Sequence, residues 1–216
     1  MHGSTQNRST SNFFFTRIFS FATASLIRSF WLGKTEGLSN IPDSPCILIS
    51  NHASYLDFLL IGYVLKRKAN KNFTFWAKTK VINHFLWKTY SNIFNSIEVV
   101  GNLRKLNELS SQALNKGQYI CIFPEGKRSR DGKLQPFKKG YLRLASSIGT
   151  NIVPVQLENT FLAWPAHQLL PKFKKCSITF YPPIEISKDL TEDEIDQINL
   201  TIMKAYEIFR SKSQGK

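Results

Sequence analysis

The sequence predicts an α/β fold: a mixed, mostly parallel sheet flanked by helices, with an N-terminal amphipathic membrane-associated helix before it. Short apolar runs with the length of buried strands alternate with longer segments of helical periodicity, which is the pattern of strand–helix–strand units. The 216 residues suffice for one such domain, and the 42% hydrophobic content excludes wholesale disorder.

The N-terminal part, residues 1–35, is expected to form a disordered start followed by an interfacial helix. Residues 13–32 are dense in Phe, Ile, Leu and Trp. Arg17 and Arg28 leave only ten uncharged residues between them, fewer than the ~20 that span a bilayer. This pattern favours a helix lying in the headgroup plane, anchored by aromatic rings. A helix packed on the protein's own core is the alternative, and the globular domain is expected to occupy residues 36–216.

Strands and helices are predicted to alternate along the remaining chain. Apolar, β-branched or aromatic runs predict strands at 46–51, 73–77, 96–101, 119–123, 151–157 and 176–181. Helical periodicity or composition predicts helices at 55–66, 79–94, 103–116, 136–147 and, behind a capping box at 191–194, through Phe209.

The charge balance is strongly positive. The chain has 29 Lys and Arg against 15 Asp and Glu, a formal net charge of +14. Such a surface suits a polyanion or an anionic membrane, and charge alone does not choose between them. A nucleic-acid binder would explain the charge, but the sequence shows no helix-turn-helix, RRM or zinc-finger pattern.

The cysteines and histidines do not indicate a metal centre. The three cysteines are widely spaced and lie in apolar runs, so we expect reduced core thiols rather than disulfides or nucleophiles: Cys46, Cys121 and Cys176. The four histidines are scattered along the chain, and no metal site is predicted.

The segment SNHASYLDFLL places a histidine directly after a predicted buried strand. Asp57 follows His52 by five residues, near the start of the next helix. A turn between strand and helix can bring the carboxylate to one imidazole nitrogen, leaving the other nitrogen as an acceptor. This pair would be a general base with the group that orients it. In the alternative, Asn51 and Asp57 are turn and cap residues and His52 has no chemical role.

The segment IFPEGKRSRDGKLQPFKKG, residues 122–140, is a basic loop after the strand that ends at Phe123. Glu125 and Gly126 are expected to turn the chain, and cations follow with only Asp131 opposing them: Lys127, Arg128, Arg130, Lys133, Lys138, Lys139 and Arg143. Cations beside a glycine turn at a strand end suit a phosphate, which arginine binds through two parallel hydrogen bonds. A solvated basic face is the alternative.

Together these segments resemble a known family. NHASYLD resembles the NHxxxxD motif, and FPEGKRS the FPEGTRS motif, of the PlsC-type glycerolipid acyltransferases, which include 1-acylglycerol-3-phosphate acyltransferases. The motifs lie about 70 residues apart, and the resemblance runs from about residue 37 to 186. The segment IVPVQLEN is similar to the family's proline-containing strand, with Pro154 at the matching position.

The resemblance implies transfer of a fatty acyl group from acyl-CoA or acyl-ACP to the free hydroxyl of a lysophospholipid. The acceptor it implies first is 1-acyl-sn-glycerol-3-phosphate, which gives phosphatidic acid; another lysophospholipid or a lyso-aminolipid is the alternative. His52 would remove the hydroxyl proton and Asp57 would orient the imidazole, without cofactor or metal. The alternative from another class is a non-catalytic basic protein that binds lipid or nucleic acid.

The resemblance also implies a set of substrate-binding residues. They are Glu125, Gly126, Arg128, Arg104, Lys127, Ser129 and Pro154. Glu125 would accept a hydrogen bond from a hydroxyl or hold the loop. Lys127 departs from the family, which has Thr there. The family's middle arginine aligns with Gly101, so Arg104 either replaces it as an acceptor ligand or is a surface residue of the helix.

The expected partners are a membrane phospholipid surface, the lysophospholipid acceptor and the acyl donor, and not nucleic acid. The expected location is the cytoplasmic face of a membrane, as a peripheral or monotopic protein. The basic clusters at 66–68 and 172–175 would contact anionic headgroups or remain solvated.

Overall fold

The computed structural model describes residues 22–78, 95–99 and 102–214, and the main elements of this part of the chain are seven strands and five helices that follow the first strand. The strands are β1 Leu32–Glu36, β2 Ile47–Ser50, β3 Asn72–Ala77, β4 Asn95–Glu98, β5 Gln118–Ile122, β6 Ile152–Glu158 and β7 Cys176–Phe180. The helices are α1 Leu56–Arg67, α2 Leu103–Asn115, α3 Gly140–Ile148, α4 Thr160–Ala163 and α5 Glu192–Gln214. The predicted helix 79–94 and the start of the chain through residue 21 lie outside the described residues.

All seven strands belong to one sheet in the order β1-β7-β6-β2-β5-β3-β4. Neighbouring strands are parallel except β6 and β7, so β7 and β1 run opposite to the other five. The predicted mixed, mostly parallel sheet flanked by helices is confirmed. The reversal brings the start of β7, and of β1 beside it, to the edge where β6 ends, because Glu158 is paired with Ser177 and Leu32 with Cys176.

Strand β1 is absent from the sequence prediction. Residues 22–31 are helical and end in a π-helical turn, Ile27–Trp31, after which the chain extends and pairs with β7. The sequence LGKTE contains a glycine and two charges and shows little strand propensity, so pairing with β7 decides its conformation. The sheet therefore begins at Leu32, four residues before the expected start of the globular domain at residue 36. No helix among residues 22–78, 95–99 and 102–214 is long and apolar enough to cross a membrane.

Two apolar layers cover the two faces of the sheet. Side chains alternate along β2, so Leu48 packs with α1 on one face while Ile47 and Ile49 pack with α3 and α5 on the other. Helix α2 lies beside α3 on this second face, over β4 and β5. Because β2 is buried on both faces, the residues that follow it emerge from the middle of the sheet.

The first residue of a helix is determined by local sequence in α5 and by a contact with a distant loop in α3. The predicted capping box at α5 is present, because Thr191 Oγ1 accepts from the Glu194 N–H and Glu194 Oε2 accepts from the Thr191 N–H. Helix α3 begins four residues later than predicted from 136. The Lys138 N–H donates to the Pro124 carbonyl instead, which ties this segment to the loop after β5.

Candidate active site

The turn between β2 and α1 brings His52 and Asp57 together. Asp57 Oδ2 is 2.7 Å from His52 Nδ1 and also accepts hydrogen bonds from the N–H groups of Ala53, at 2.7 Å, and Ser54, at 2.8 Å. Asp57 is fully buried, whereas the side chain of His52 keeps 18% of its surface exposed. The carboxylate thus stabilises the turn and contacts the imidazole at once. With Nδ1–H donating to this carboxylate, Nε2 is left as an acceptor.

The imidazole is fixed by stacking as well as by Asp57. The His52 ring lies on the ring of Phe123, with 4.0 Å between centroids and 15° between planes. Phe123 lies in turn nearly parallel to Phe75, 6.1 Å away. Within the described part of the chain no polar group is hydrogen-bonded to His52 Nε2. Nε2 is therefore available to a bound hydroxyl.

One oxygen of the Asp57 carboxylate is buried without a partner. Asp57 Oδ1 has no hydrogen-bond donor among the described residues, and an anion in such a position carries a desolvation cost. A positive charge on His52 would offset that cost. The charge of Asp57 also affects a thiol at the start of β7. Burial raises the pKa of the Cys176 thiol to about 12, and the negative charge of Asp57 adds to this rise.

Glu125 connects the two sequence motifs. Its buried carboxylate accepts from the backbone N–H of His52 through Oε1, at 2.7 Å, and from the backbone N–H of Gln135 through Oε2, at 3.1 Å. The Ser129 N–H donates to the His52 carbonyl at 2.8 Å. These hydrogen bonds hold the loop against the histidine, which is compatible with the second of the two roles expected for Glu125.

The loop after β5 turns at Gly126, whose φ of +69° lies in the left-handed region that favours glycine. The side chain of Arg128 returns over the turn between β2 and α1, with its guanidinium 3.7 Å from the centre of the Tyr55 ring. Arg128 Nη1 is buried without a hydrogen-bond partner in the described chain. A buried guanidinium nitrogen with an unused donor is suited to an anionic ligand.

Two other predicted residues of this loop, Lys127 and Ser129, differ in how much of their surface is exposed. Lys127 is exposed and precedes Arg128 in the chain. Ser129 is buried, and its hydroxyl donates to Asp131 at 3.0 Å. Hydrogen bonds from the Lys133 N–H and the Ser129 hydroxyl lower the pKa of Asp131. Ser129 therefore organises the loop through its side chain.

Tyr55 and Trp164 are site residues that the sequence analysis missed. The Tyr55 ring lies 5.2 Å from that of Trp164. The Trp164 carbonyl accepts from the Ser54 hydroxyl at 2.6 Å and from the Tyr55 N–H at 3.2 Å. Tyr55 stands inside NHASYLD, so an aromatic side chain within the motif is the available signal. Its contact with Arg128 joins residues 73 positions apart (128 − 55) and could not be inferred from spacing.

Two predicted binding residues are not brought to this cluster. Arg104 is 90% exposed on α2 and pairs with Glu108 at 3.2 Å. Helix α2 packs on the face of the sheet opposite to α1 and Phe123, and Arg104 makes no contact with the loop after β5 among the described residues. Pro154 is buried within β6, where it is paired with Ile49 of β2. Gly101, the other candidate for the middle arginine position, lies outside the described residues.

Thiols and metal ligands do not contribute to the cluster. The cysteines are free and buried, and burial raises the pKa of Cys46 to about 12. In the described ranges no three His, Cys, Asp or Glu side chains converge as a metal would require.

A sequence model of the family described as acyltransferase matches residues 34–158, which include both motifs and more than half of the chain. The chain belongs to the acyltransferase family. The resemblance to PlsC-type enzymes is thereby confirmed, and the pair of His52 and Asp57 lies inside the matched region of this acyltransferase-family protein.

Relatives and a solved structure agree with this assignment. The chain is 28% identical to a 1-acyl-sn-glycerol-3-phosphate acyltransferase of Cocos nucifera over 73% of its own length and 51% of the relative's. It is 34% identical to a chloroplastic 1-acyl-sn-glycerol-3-phosphate acyltransferase of Arabidopsis thaliana, over 62% of this chain and 38% of that one. The chain thus spans about half or less of these relatives.

The fold of the acyltransferase-family protein is also that of a solved structure. The crystal structure of PlsC, the 1-acyl-sn-glycerophosphate acyltransferase of Thermotoga maritima, is similar with a TM-score of 0.71 and 22% identity. The similarity covers 98% of this chain and 85% of PlsC. At this identity the comparison establishes the shared fold.

Proposed function

We propose that this protein transfers a fatty acyl group from an acyl thioester, acyl-CoA or acyl-ACP, to the free hydroxyl of a lysophospholipid. The proposed acceptor is 1-acyl-sn-glycerol-3-phosphate, and the product is phosphatidic acid. The observation that carries the proposal is the connected unit of His52, Asp57, Glu125 and Arg128, which joins a general base to a cation suited to phosphate. Relatives named as 1-acyl-sn-glycerol-3-phosphate acyltransferases support it.

The reaction needs one proton transfer to and from His52. Nε2 of His52 takes the proton of the acceptor hydroxyl while the oxygen attacks the thioester carbonyl carbon. Asp57 stabilises the imidazolium that forms, because its buried charge lies 2.7 Å from Nδ1. The carbon–sulfur bond then breaks, and the departing thiolate receives the proton from Nε2. No covalent acyl-enzyme intermediate is required.

The acceptor phosphate is assigned to Arg128, with Lys127 as an additional positive charge beside it. The guanidinium packs against the Tyr55 ring, and its buried Nη1 has no hydrogen-bond partner among the described residues, so its donors are unused by the protein. The additional charge at Lys127 favours a phosphate monoester, which carries more negative charge than the diester of most lysophospholipids. A lyso-aminolipid acceptor would bring a cation to the same place.

The proposed location is the cytoplasmic face of a membrane, with the protein attached peripherally or as a monotopic protein. The net charge of +14 favours an anionic surface. An acceptor with one acyl chain and a product with two both partition into a bilayer, so an enzyme of this activity must reach them there.

The test is turnover by the purified protein with labelled acyl-CoA or acyl-ACP and a panel of lysophospholipids that includes lysophosphatidate. We expect labelled phosphatidic acid, and a loss of about 10²–10⁴-fold in rate for His52→Ala, in protein that remains folded, as checked by a cooperative melting transition. A His52→Ala protein with near wild-type turnover would refute the mechanism. Binding of lysolipid or nucleic acid without any turnover would favour the non-catalytic alternative.

A further inference from the structure

An exposed apolar surface lies next to the proposed active site. The loop of residues 164–175 connects α4 to β7, and three of its large apolar side chains face solvent. Leu169 is 89% exposed, Leu170 74% and Phe173 77%. Three such side chains within five positions are costly to leave in water, and contiguous exposed apolar patches mark interaction sites.

The helical segment before β1 extends this surface. The rings of Phe30 and Phe173 lie 4.9 Å apart, and Trp31 Nε1 donates to the Lys172 carbonyl at 2.9 Å. Lys175 Nζ donates to the Ser29 carbonyl at 2.7 Å, so it caps the C-terminal end of this segment. The loop 164–175 and the side chains of Leu26 and Phe30 therefore form one surface, called here the docking face.

The charged side chains of the two segments that form the docking face are all basic. Arg28, Lys172 and Lys174 are exposed beside its apolar side chains. The sequence contains no acidic residue between Glu158 and Glu185, nor from residue 22 to residue 35. Apolar and aromatic tips with lysine and arginine between them are the composition of segments that lie in the interface of an anionic bilayer.

The docking face is joined directly to the active site. Trp164 begins the loop, and its carbonyl accepts hydrogen bonds from Ser54 and Tyr55 in the turn that carries His52. The Lys172 N–H donates to the Ala163 carbonyl at 2.7 Å, which folds the loop back toward this turn. A lipid whose phosphate is bound by Arg128 therefore has an apolar surface close by for its acyl chain.

We propose that the docking face inserts into an anionic phospholipid bilayer and that the loop 164–175 is a membrane contact additional to the N-terminal segment. Leu169, Leu170 and Phe173 enter the interface, and Lys172 and Lys174 bind the phosphates around them. This inference rests on the proposed function, because it states how the enzyme reaches a lysolipid held in a membrane. A rigid protein partner would be matched to shape, whereas this face combines exposed apolar side chains with exposed lysines.

The first experiment measures co-sedimentation of the full chain with vesicles of phosphatidylcholine alone and of phosphatidylcholine with phosphatidylglycerol. Leu169→Ser/Leu170→Ser should lower the partition coefficient by about tenfold or more, since each inserted leucine is withdrawn from water. Lys172→Glu/Lys174→Glu should lower binding to the anionic vesicles by about tenfold or more and change binding to neutral ones little. Both pairs are exposed, so folding should be retained, as checked by the melting temperature.

Matched controls exist on α5 and in the segment that precedes it. Leu200→Ser/Ile208→Ser removes two exposed apolar residues, and Lys188→Glu/Lys204→Glu reverses two exposed charges outside the docking face. The proposal is overturned if the loop variants sediment like the wild type, or if each control lowers vesicle binding as much as the loop variant of the same kind. It is also overturned if the loop variants instead dissociate a dimer, which would identify the face as a contact between copies of the chain.

A second readout separates this inference from the proposed function. Vesicle binding does not depend on turnover, so it can succeed or fail whether or not the protein is an acyltransferase. If the protein turns over lysophosphatidate, the loop variants should keep their rate on a short-chain, water-soluble lysophosphatidate and lose rate on lysophosphatidate embedded in vesicles. Equal losses on both substrates would show that the loop supports the active site and not the membrane contact.

Discussion

Replacing Arg128 by alanine is expected to weaken binding of the acceptor while leaving binding of the acyl donor nearly unchanged. The guanidinium is held 3.7 Å over the Tyr55 ring, and its Nη1 has no hydrogen-bond partner among the described residues, so its donors are available to a phosphate. A hydrogen bond to a charged group contributes roughly 1.5–3 kcal/mol, which corresponds to about 10–150-fold in acceptor kcat/KM. The interaction is present before and during the reaction, so the loss should be in KM more than in kcat. Arg128→Lys should restore only part of it, because an ammonium has no planar pair of donors.

The assay is a pair of saturation curves for each variant, one varying lysophosphatidate and the other varying the acyl donor. Arg104→Ala is the matched control, because it removes an arginine that is exposed and paired with Glu108 on the opposite face of the sheet. We expect wild-type constants for the control. A rise in donor KM with an unchanged acceptor KM in Arg128→Ala would show that this loop binds the donor's phosphates, and the two substrates would have to exchange places. An equal effect of Arg104→Ala would contradict the assignment of the acceptor to the Arg128 loop.

Three further predictions concern buried groups. Asp57→Asn should lower kcat by about 10²–10⁴-fold at nearly unchanged acceptor KM, because the amide can still accept the backbone hydrogen bonds but cannot stabilise an imidazolium; near wild-type kcat would contradict this. Glu125→Gln should lower the free energy of unfolding by about 1–3 kcal/mol in denaturant titrations, because an amide N–H₂ would face a buried N–H donor; unchanged stability would refute its linking role. The three thiols should resist iodoacetamide in the native protein at pH 9, because burial raises their pKa; they belong to Cys46, Cys121 and Cys176. They should react after unfolding, and fast alkylation of the native protein would contradict this prediction.

The fold and the pair of His52 and Asp57 could be predicted because their signals are local. The segment CILISN begins with four apolar residues, which are all buried, and the histidine follows the segment directly. The carboxylate is only five residues away, so a single turn is enough to bring it to the imidazole. The capping box at Thr191 and Glu194 is likewise complete within four residues.

The features that could not be predicted depend on contacts between distant parts of the chain. Glu125 is bonded to a backbone N–H 73 residues away, and sequence carries no record of which atom its carboxylate meets. The extended conformation of β1 depends on pairing with β7, which begins 140 residues after β1 ends. Arg104 has the right residue type after a strand, but its side of the sheet follows from the packing of α2 beside α3.

The antiparallel pairing of β6 with β7 has a consequence for how this protein meets its substrates. It brings the residues before β1 and before β7 to the same edge as the ends of β2, β5 and β6. The proposed catalytic pair and the proposed membrane contact therefore lie at one pole of the molecule. If both proposals hold, a lysolipid bound at that pole would react while its tail stays among the neighbouring lipids, and the protein would not have to enclose that tail. Discrimination among acceptors would then depend on the headgroup, and a newly acylated product would diffuse away in two dimensions.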